Sequence, residues 1–183
     1  MTLTDIANVA LESLGAESIN NLDQDDSAMA RKIKRVLYAV IDDIQTIRNW
    51  SCLMKQDKLV KASKDPDANG EFKYNAPKNL LNVVSQNARW RRLGNYMLSE
   101  SPALEIEYTQ SNYDPSEWCK NLQGAVISKL KADIVGSIVG NRDLTMLTIQ
   151  KSEVDIKRYM MNDINASKSI IVQKQSSWWI GGV

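Results

Sequence analysis

The chain has 183 residues, of which 43% are hydrophobic and 25% charged, as is typical of one globular domain or of one domain with an insertion. Its 23 Lys and Arg residues nearly balance 22 Asp and Glu residues, and this argues against a dedicated nucleic-acid-binding protein. Histidine is absent, which excludes His-based catalytic triads, His general bases and His metal ligands.

The ends and the cysteines of the chain indicate its compartment. The N-terminal segment has neither a basic region nor a continuous apolar run, so we expect no signal peptide. No apolar run reaches the roughly 18 residues of a membrane-spanning helix. We therefore expect the protein in the cytosol or in a particle assembled there. Cys52 and Cys119 lack CxxC or zinc-ligand spacing, and the sequence permits a disulfide between them without requiring one.

An amphipathic helix is predicted over residues 3–14, where apolar residues fall on one stripe. Thr2 and Asp5 have the spacing of a capping box, and Gly15 stands where the end of a helix favours glycine. The polar stretch 16–26 predicts a loop.

A long helix is predicted over about 27–50, where apolar residues recur at helical spacing. Asp26 or Ser27 is in position to cap its N-terminus. The acidic group Asp23, Asp25 and Asp26 superficially resembles a calcium loop. It lacks the glycine and the glutamate that such a loop requires, so we interpret it as a solvated loop.

The middle third, about 53–110, predicts a β-rich insertion. It holds all but one of the prolines, and the stretch from Asp65 to Gly70 is a strong turn signal. Gly94-Asn95 predicts a hairpin turn. Short alternating runs predict strands at 58–61, 80–84, 90–93 and 104–108. The last of these alternates apolar and acidic residues, so we expect one of its faces to be exposed to water.

Two more helices are predicted after the insertion. Asp114 is a good N-cap and Pro115 suits the first helical position, so a third helix is expected to begin there and to end near Ile138. A fourth helix is expected from about Asp143 to Ala166.

This order of elements predicts an α+β fold, mainly a helical bundle of about four helices with a small β-rich insertion in the middle and an extended C-terminal arm. We assign residues 1–52 and 111–166 to the bundle, 53–110 to the insertion and 167–183 to the arm. The arm matches no amphipathic helix, yet it is rich in large apolar residues: Ile170, Ile171, Val172, Trp178, Trp179 and Ile180. Disordered tails are poor in such residues, so we expect the arm either to bind a partner or to fold back onto its own domain.

No motif predicts catalysis. A phosphate-binding glycine loop, a dinucleotide-binding fingerprint and a nucleophile elbow are all missing. We therefore predict no enzymatic activity, and we assign no catalytic, cofactor-binding or metal-binding residue.

The densest basic segment is Arg89-Trp90-Arg91-Arg92. An aromatic residue flanked by arginines can stack on a base while the arginines contact phosphate. Alternatively, Trp90 belongs to the core, in a strand whose neighbouring residues face water. The sequence leaves both interpretations open.

Several short motifs occur in order over about residues 3–166: Leu14-Gly15, Ile19-x-x-Leu22, Asp23 through Ala28 and Ala30, Asn49-Trp50, Tyr74-x-x-Pro77-x-Asn79-Leu80-Leu81-x-Val83, Leu104-x-Ile106-x-Tyr108 and Asp114-Pro115-Ser116-Glu117-Trp118. Each motif is individually weak. Their order resembles that of phage head-to-tail adaptor proteins, including the tail tubular protein A (gatekeeper) family of short-tailed phages.

The resemblance implies a structural protein of the virion neck or tail, assembled in the host cytoplasm. It implies a homo-oligomeric ring, usually twelvefold, that joins the portal protein to the tail nozzle or next tail protein. Genomic DNA passes through such a ring, so its contact with the protein is expected to be transient and independent of sequence.

Two contact regions are expected on this basis. The portal contact is assigned to the apolar residues of the arm, with Trp178 and Trp179 as anchors. The tail-side or subunit contact is assigned to Arg89, Trp90, Arg91 and Arg92 in the hairpin region, or to the turn near Asp65 to Gly70. The alternative function is a nucleic-acid-binding or DNA-packaging accessory protein that uses the same arginines.

Overall fold

A computed structural model describes residues 1–176 of the chain. These residues form four α-helices and two small antiparallel sheets. Side chains are described through residue 167. These elements confirm the predicted α+β fold class. The chain divides into two units. The helical unit comprises Met1–Cys52 and the chain after Asn112, and the strand unit comprises Leu53–Asn112.

The first helix, α1, runs over Leu3–Glu12 and begins with the predicted capping box. The Thr2 hydroxyl oxygen accepts the Asp5 backbone N–H at 3.1 Å, and the Asp5 carboxylate accepts the Thr2 N–H at 2.7 Å. The helix ends slightly before the predicted position, and Gly15 follows with a φ of 72°. Only glycine adopts this left-handed conformation without strain.

The second helix, α2, runs over Ala28–Thr46, and Ser27 is its cap. The Ser27 hydroxyl accepts the Ala30 N–H at 3.1 Å. The predicted end near residue 50 is wrong, because the helix ends at Thr46. Trp50 lies beyond that end, and its side chain packs back against the last turn of α2. The Trp50 side chain is fully buried, and its indole N–H donates to the Ile44 carbonyl oxygen at 2.7 Å.

The predicted third helix is two elements. Asp114 does cap a helical turn, by accepting the Ser116 N–H at 2.9 Å, but that turn is a short 3₁₀ helix over Pro115–Glu117. The backbone is extended at Trp118, which is buried, and α3 then runs over Lys120–Ile138. Because the backbone is extended at this break, the indole of Trp118 lies in the core. A continuous helix would point this side chain in another direction.

The fourth helix, α4, runs over Arg142–Ser176, beyond the predicted end at Ala166. The chain contains neither proline nor glycine, the residues that most disfavour a helix, from Ala166 to Ser176. The backbone of α4 thus includes the first residues of the segment assigned to the arm, and the extended form of the arm stays a prediction. Residues 177–183 lie outside the described residues.

Close packing joins α3 and α4 at a glycine. A Cβ atom placed on Gly124 of α3 would lie only 2.5 Å from Cζ of the Tyr159 ring on α4. Helices α1 and α2 also pack against α3, so α3 is the helix that all three others contact.

The strand unit holds two sheets of three strands, with orders β1-β6-β3 and β2-β5-β4. All strand pairs are antiparallel. The strands are β1 Met54–Lys58, β2 Phe72–Asn75, β3 Leu80–Gln86, β4 Arg91–Leu93, β5 Tyr96–Ser99 and β6 Glu105–Gln110. Sequence patterns indicated β3, β4 and β6, missed β2 and β5, and placed the first strand too late, at 58–61.

The core of the strand unit follows the alternation predicted for its last strand. Ile106 and Tyr108 on β6 are buried together with residues of β2 and β5, whereas Glu105 is exposed. The predicted hairpin turn at Gly94-Asn95 is confirmed, because Leu93 pairs with Tyr96 across it. Gly94 has a φ of 57°, which suits a tight turn of this kind.

Candidate functional site

An exposed apolar surface lies along α4. Five of its apolar side chains retain about half or more of their accessible area: Leu144 at 48%, Met146 at 52%, Leu147 at 61%, Val154 at 65% and Met161 at 56%. We call Leu144, Leu147, Val154 and Met161 the α4 stripe, and Met146 falls outside their spacing. Lys151 and Arg158 fill the gaps in a spacing that alternates between three and four residues, so all six positions share one face of the helix.

The opposite face of α4 is polar where it is most buried. Ser152 and Asp163 are 2% and 1% exposed, and Tyr159 lies against Gly124 of α3. Ser152 and Asp163 are thus the most buried side chains of α4, and Ile156, Met160 and Ile164 are half-buried. The exposed Leu, Val and Met side chains are of the kind that a surface helix usually covers. Exposed apolar side chains repeated along one helix face, with Lys151 and Arg158 between them, suit a protein–protein contact.

Trp90 in the basic segment is half-buried and packs against the core of the strand unit. Part of its ring is therefore covered by other residues of the strand unit, which agrees with the interpretation of Trp90 as a core residue. The hairpin beyond it exposes Leu93, which retains 53% of its accessible area.

The three arginines of the segment have different surroundings. Arg91 is an ion-pair partner of Glu71, and its Nε lies 3.0 Å and 3.2 Å from the two carboxylate oxygens. Arg92 donates from Nε to the Gly94 carbonyl oxygen at 3.2 Å. Arg89 is exposed, and its guanidinium has no hydrogen bond or ion pair to another described residue. Arg89 is thus the arginine of this segment with the most freedom to contact a partner.

A surface groove of about 590 Å³ borders the same segment. Glu71, Trp90, Arg91 and the stretch from Leu98 to Ser101 line it, together with Arg89. Its lining holds both carboxylates and guanidinium groups, so it lacks the uniformly positive character of a phosphate-binding groove.

The predicted portal contact is only partly within the described chain. Ile170, Ile171 and Val172 belong to the helical backbone of α4. Trp178, Trp179 and Ile180 lie outside the described residues.

A buried charge network connects the end of α2 to α4, and sequence reasoning missed it. The Asp163 carboxylate, 1% exposed, accepts hydrogen bonds from the Ser51 N–H at 3.2 Å and the Ser51 hydroxyl at 2.6 Å. The Arg48 Nη2 lies 3.0 Å from the same carboxylate. Arg48 lies beyond the end of α2 at Thr46, so the helical spacing predicted as far as residue 50 does not apply to it.

Two thiols meet beside this network. The Sγ atoms of Cys52 and Cys119 are 2.8 Å apart, and Cys119 Sγ lies 3.6 Å from the Asp163 carboxylate. A hydrogen bond from the Cys52 thiol, assisted by the Leu122 backbone N–H, lowers the pKa of Cys119 to about 7, although burial and Asp163 act in the opposite direction. The same contact and burial raise the pKa of Cys52. Sequence spacing gave no sign that these cysteines are neighbours.

Residues 1–167 contain no group of three or more Cys, Asp or Glu side chains arranged to hold a metal ion. In the described part of the chain, no helix combines the length and the apolar character needed to cross a membrane. Comparison with protein-family models found no match, and comparison with curated proteins found none.

Proposed function

We propose that the chain is a subunit of a head-to-tail adaptor ring in a phage particle, located between the portal protein and the tail. The observation that carries the proposal is the α4 stripe, a row of exposed apolar side chains on one face of a helix whose most buried side chains are Ser152 and Asp163. The ordered motifs along residues 3–166 support the same function independently.

The α4 stripe fits a contact between subunits of a ring. Full burial of a Leu, Val or Met side chain contributes about 1.5–3 kcal/mol, so covering four half-exposed residues gains roughly 3–6 kcal/mol. Association of two proteins costs about 4–15 kcal/mol in lost freedom of motion. A single contact of this size therefore barely sustains a dimer. A closed ring on a template makes many such contacts at once and is far more stable.

We accordingly expect the free chain to be monomeric and the ring to assemble on the portal. The C-terminal residues Ser169 to Val183 are proposed to contact the portal, with Trp178 and Trp179 as anchors. The hairpin that carries Arg89 and the exposed Leu93 is proposed to contact the tail nozzle, the next tail protein or a neighbouring subunit.

The test is to mix the purified chain with the portal protein encoded in the same genome and to image the product by electron microscopy. A ring stacked coaxially on the portal is the expected result. The double variant Leu147→Asp/Val154→Asp, which places two charges in the α4 stripe, should reduce ring formation at least tenfold. The control Lys157→Asp adds a negative charge to an exposed position of α4 outside the stripe and should leave assembly intact.

Two further variants separate the proposed contacts. Deletion of residues 169–183 should abolish portal binding, and unchanged binding would contradict the role of the arm. Charge reversal at Arg89 should weaken tail attachment while portal binding is retained. Normal tail attachment in that variant would remove the support for the hairpin as the tail-side contact.

The alternative, a nucleic-acid-binding or packaging accessory protein, is favoured by the exposed guanidinium of Arg89, which lies beside Trp90 and has no ion-pair partner among the described residues. Against it, Arg91 is neutralised by Glu71, and Trp90 packs against the strand-unit core. Salt-dependent binding of the isolated chain to duplex DNA, with no complex on the portal, would favour the alternative.

A further inference from the structure

Cys52 and Cys119 are distant in sequence and adjacent in the helical unit. Cys52 follows the Ser51 that binds Asp163, and Cys119 is the residue immediately before α3. Their Sγ atoms are 2.8 Å apart, and both residues are only half-buried. No large backbone movement is therefore needed to join them.

The surroundings give the two thiols different roles. Cys119 lies at the N-terminus of α3, where the partial positive charge of the helix favours a thiolate. The charge beside Cys119 is the Asp163 carboxylate, which disfavours the thiolate and is itself paired with Arg48. The lowered pKa of Cys119 and the raised pKa of Cys52 agree with Cys119 as the attacking sulfur and Cys52 as the thiol that reacts second.

We propose that Cys52 and Cys119 form a reversible disulfide, with a low-molecular-weight disulfide such as oxidised glutathione as the oxidant. The inference is independent of the adaptor function proposed above.

The reaction takes place in two exchange steps. The Cys119 thiolate attacks one sulfur of oxidised glutathione, the S–S bond of the oxidant breaks, and one glutathione thiolate leaves and takes up a proton. The Cys52 thiol then loses its proton and attacks Cys119 Sγ in the mixed disulfide, which expels the second glutathione. Two protein thiols are oxidised, and one molecule of oxidised glutathione is reduced to two of the thiol form.

The cross-link would close a loop that contains the whole strand unit, Leu53–Asn112. It would fix Cys52, six residues after the end of α2, to the residue that precedes α3, beside the carboxylate of Asp163 on α4. A loop of this length restricts the unfolded chain considerably, so the oxidised protein should melt roughly 5–15 °C above the reduced protein.

The experiment incubates the folded full-length chain at a series of ratios of oxidised to reduced glutathione. Intact-mass analysis and thiol titration then follow the two cysteines. The expected product has lost two hydrogen atoms, has no free thiol and carries no glutathione, and a reductant restores the original mass and melting temperature.

Single variants identify the two roles. Cys52→Ser should accumulate one glutathione on Cys119, because no second thiol is present to expel it. Cys119→Ser should react at least tenfold more slowly. The proposal is overturned if the wild-type chain retains both thiols at every ratio. It is equally overturned if glutathione remains attached to the wild-type Cys119 while Cys52 stays reduced.

Discussion

Gly124 permits the close approach of α3 to α4, and the substitution Gly124→Ala tests this directly. The added Cβ would lie 2.5 Å, 2.6 Å and 2.9 Å from three atoms of the Tyr159 ring. Real Cβ atoms do not approach other atoms so closely, so the ring must move and lose its contact with α3. Overpacking of this kind costs about 1–3 kcal/mol.

An opposing effect makes the sign of the result informative. Alanine in place of glycine within a helix stabilises it by about 1 kcal/mol, because the unfolded chain loses conformational freedom. The net effect of Gly124→Ala is therefore a destabilisation of about 0–2 kcal/mol. In a Tyr159→Ala background the collision is absent, and the same substitution should stabilise the protein by about 1 kcal/mol.

The assay is urea denaturation followed by the fluorescence of the buried Trp50 and Trp118, both in the helical unit. The four variants of the cycle give the coupling energy between positions 124 and 159, expected at about 1–3 kcal/mol. Gly136→Ala on the same helix is the control, because the added Cβ would lie an ordinary 3.8 Å from Thr145 Cγ2. It should stabilise the protein in both backgrounds. An effect of Gly124→Ala with the same sign and size in both backgrounds would refute the reasoning.

The remaining predictions concern the buried network and its thiols. Asp163→Asn removes the buried partner of Arg48 and should lower the free energy of unfolding in urea by about 2–4 kcal/mol. Asp155→Asn on the same helix removes only a surface pair and should cost at most about 0.5 kcal/mol; equal losses would contradict the importance of burial. The pKa of Cys119 is lowered, so its thiolate forms at lower pH and its alkylation rate should reach half-maximum near pH 7. Cys52→Ala removes the hydrogen-bond donor and should move the midpoint of alkylation to higher pH. The control Cys52→Ser retains a donor and should keep the midpoint low. An unmoved midpoint in Cys52→Ala would show that the lowered pKa of Cys119 has another cause.

The sequence predicted correctly the helix caps and turns that depend only on neighbouring residues. The capping box at Thr2 and Asp5, the Ser27 cap and the Gly94 turn each depend on a few adjacent residues. Helix ends were less predictable where a tryptophan decided them. Trp50 and Trp118 leave helical geometry to enter the core, and no rule based on propensity or spacing contains that information.

The candidate surfaces show the same division. Periodicity identified the apolar residues of α4, but it did not indicate which side α3 would cover. The sequence therefore gave no sign that Leu147 and Val154 would be exposed while Asp163 is buried. The network of Asp163, Ser51 and Cys119 joins segments that only the fold brings together, and no short motif connects them.

The discontinuity of the helical unit has a consequence for folding during synthesis. Helices α1 and α2 pack against α3, which leaves the ribosome only after the entire strand unit. At 5–20 residues per second, the delay between α2 and the end of α3 is on the order of 5–20 seconds. The sheet β1-β6-β3 also cannot form until late, because its central strand, β6, is the last of the three to be synthesised. The first two helices therefore spend seconds with their apolar faces uncovered, and it is in this interval that the nascent chain depends most on protection from aggregation.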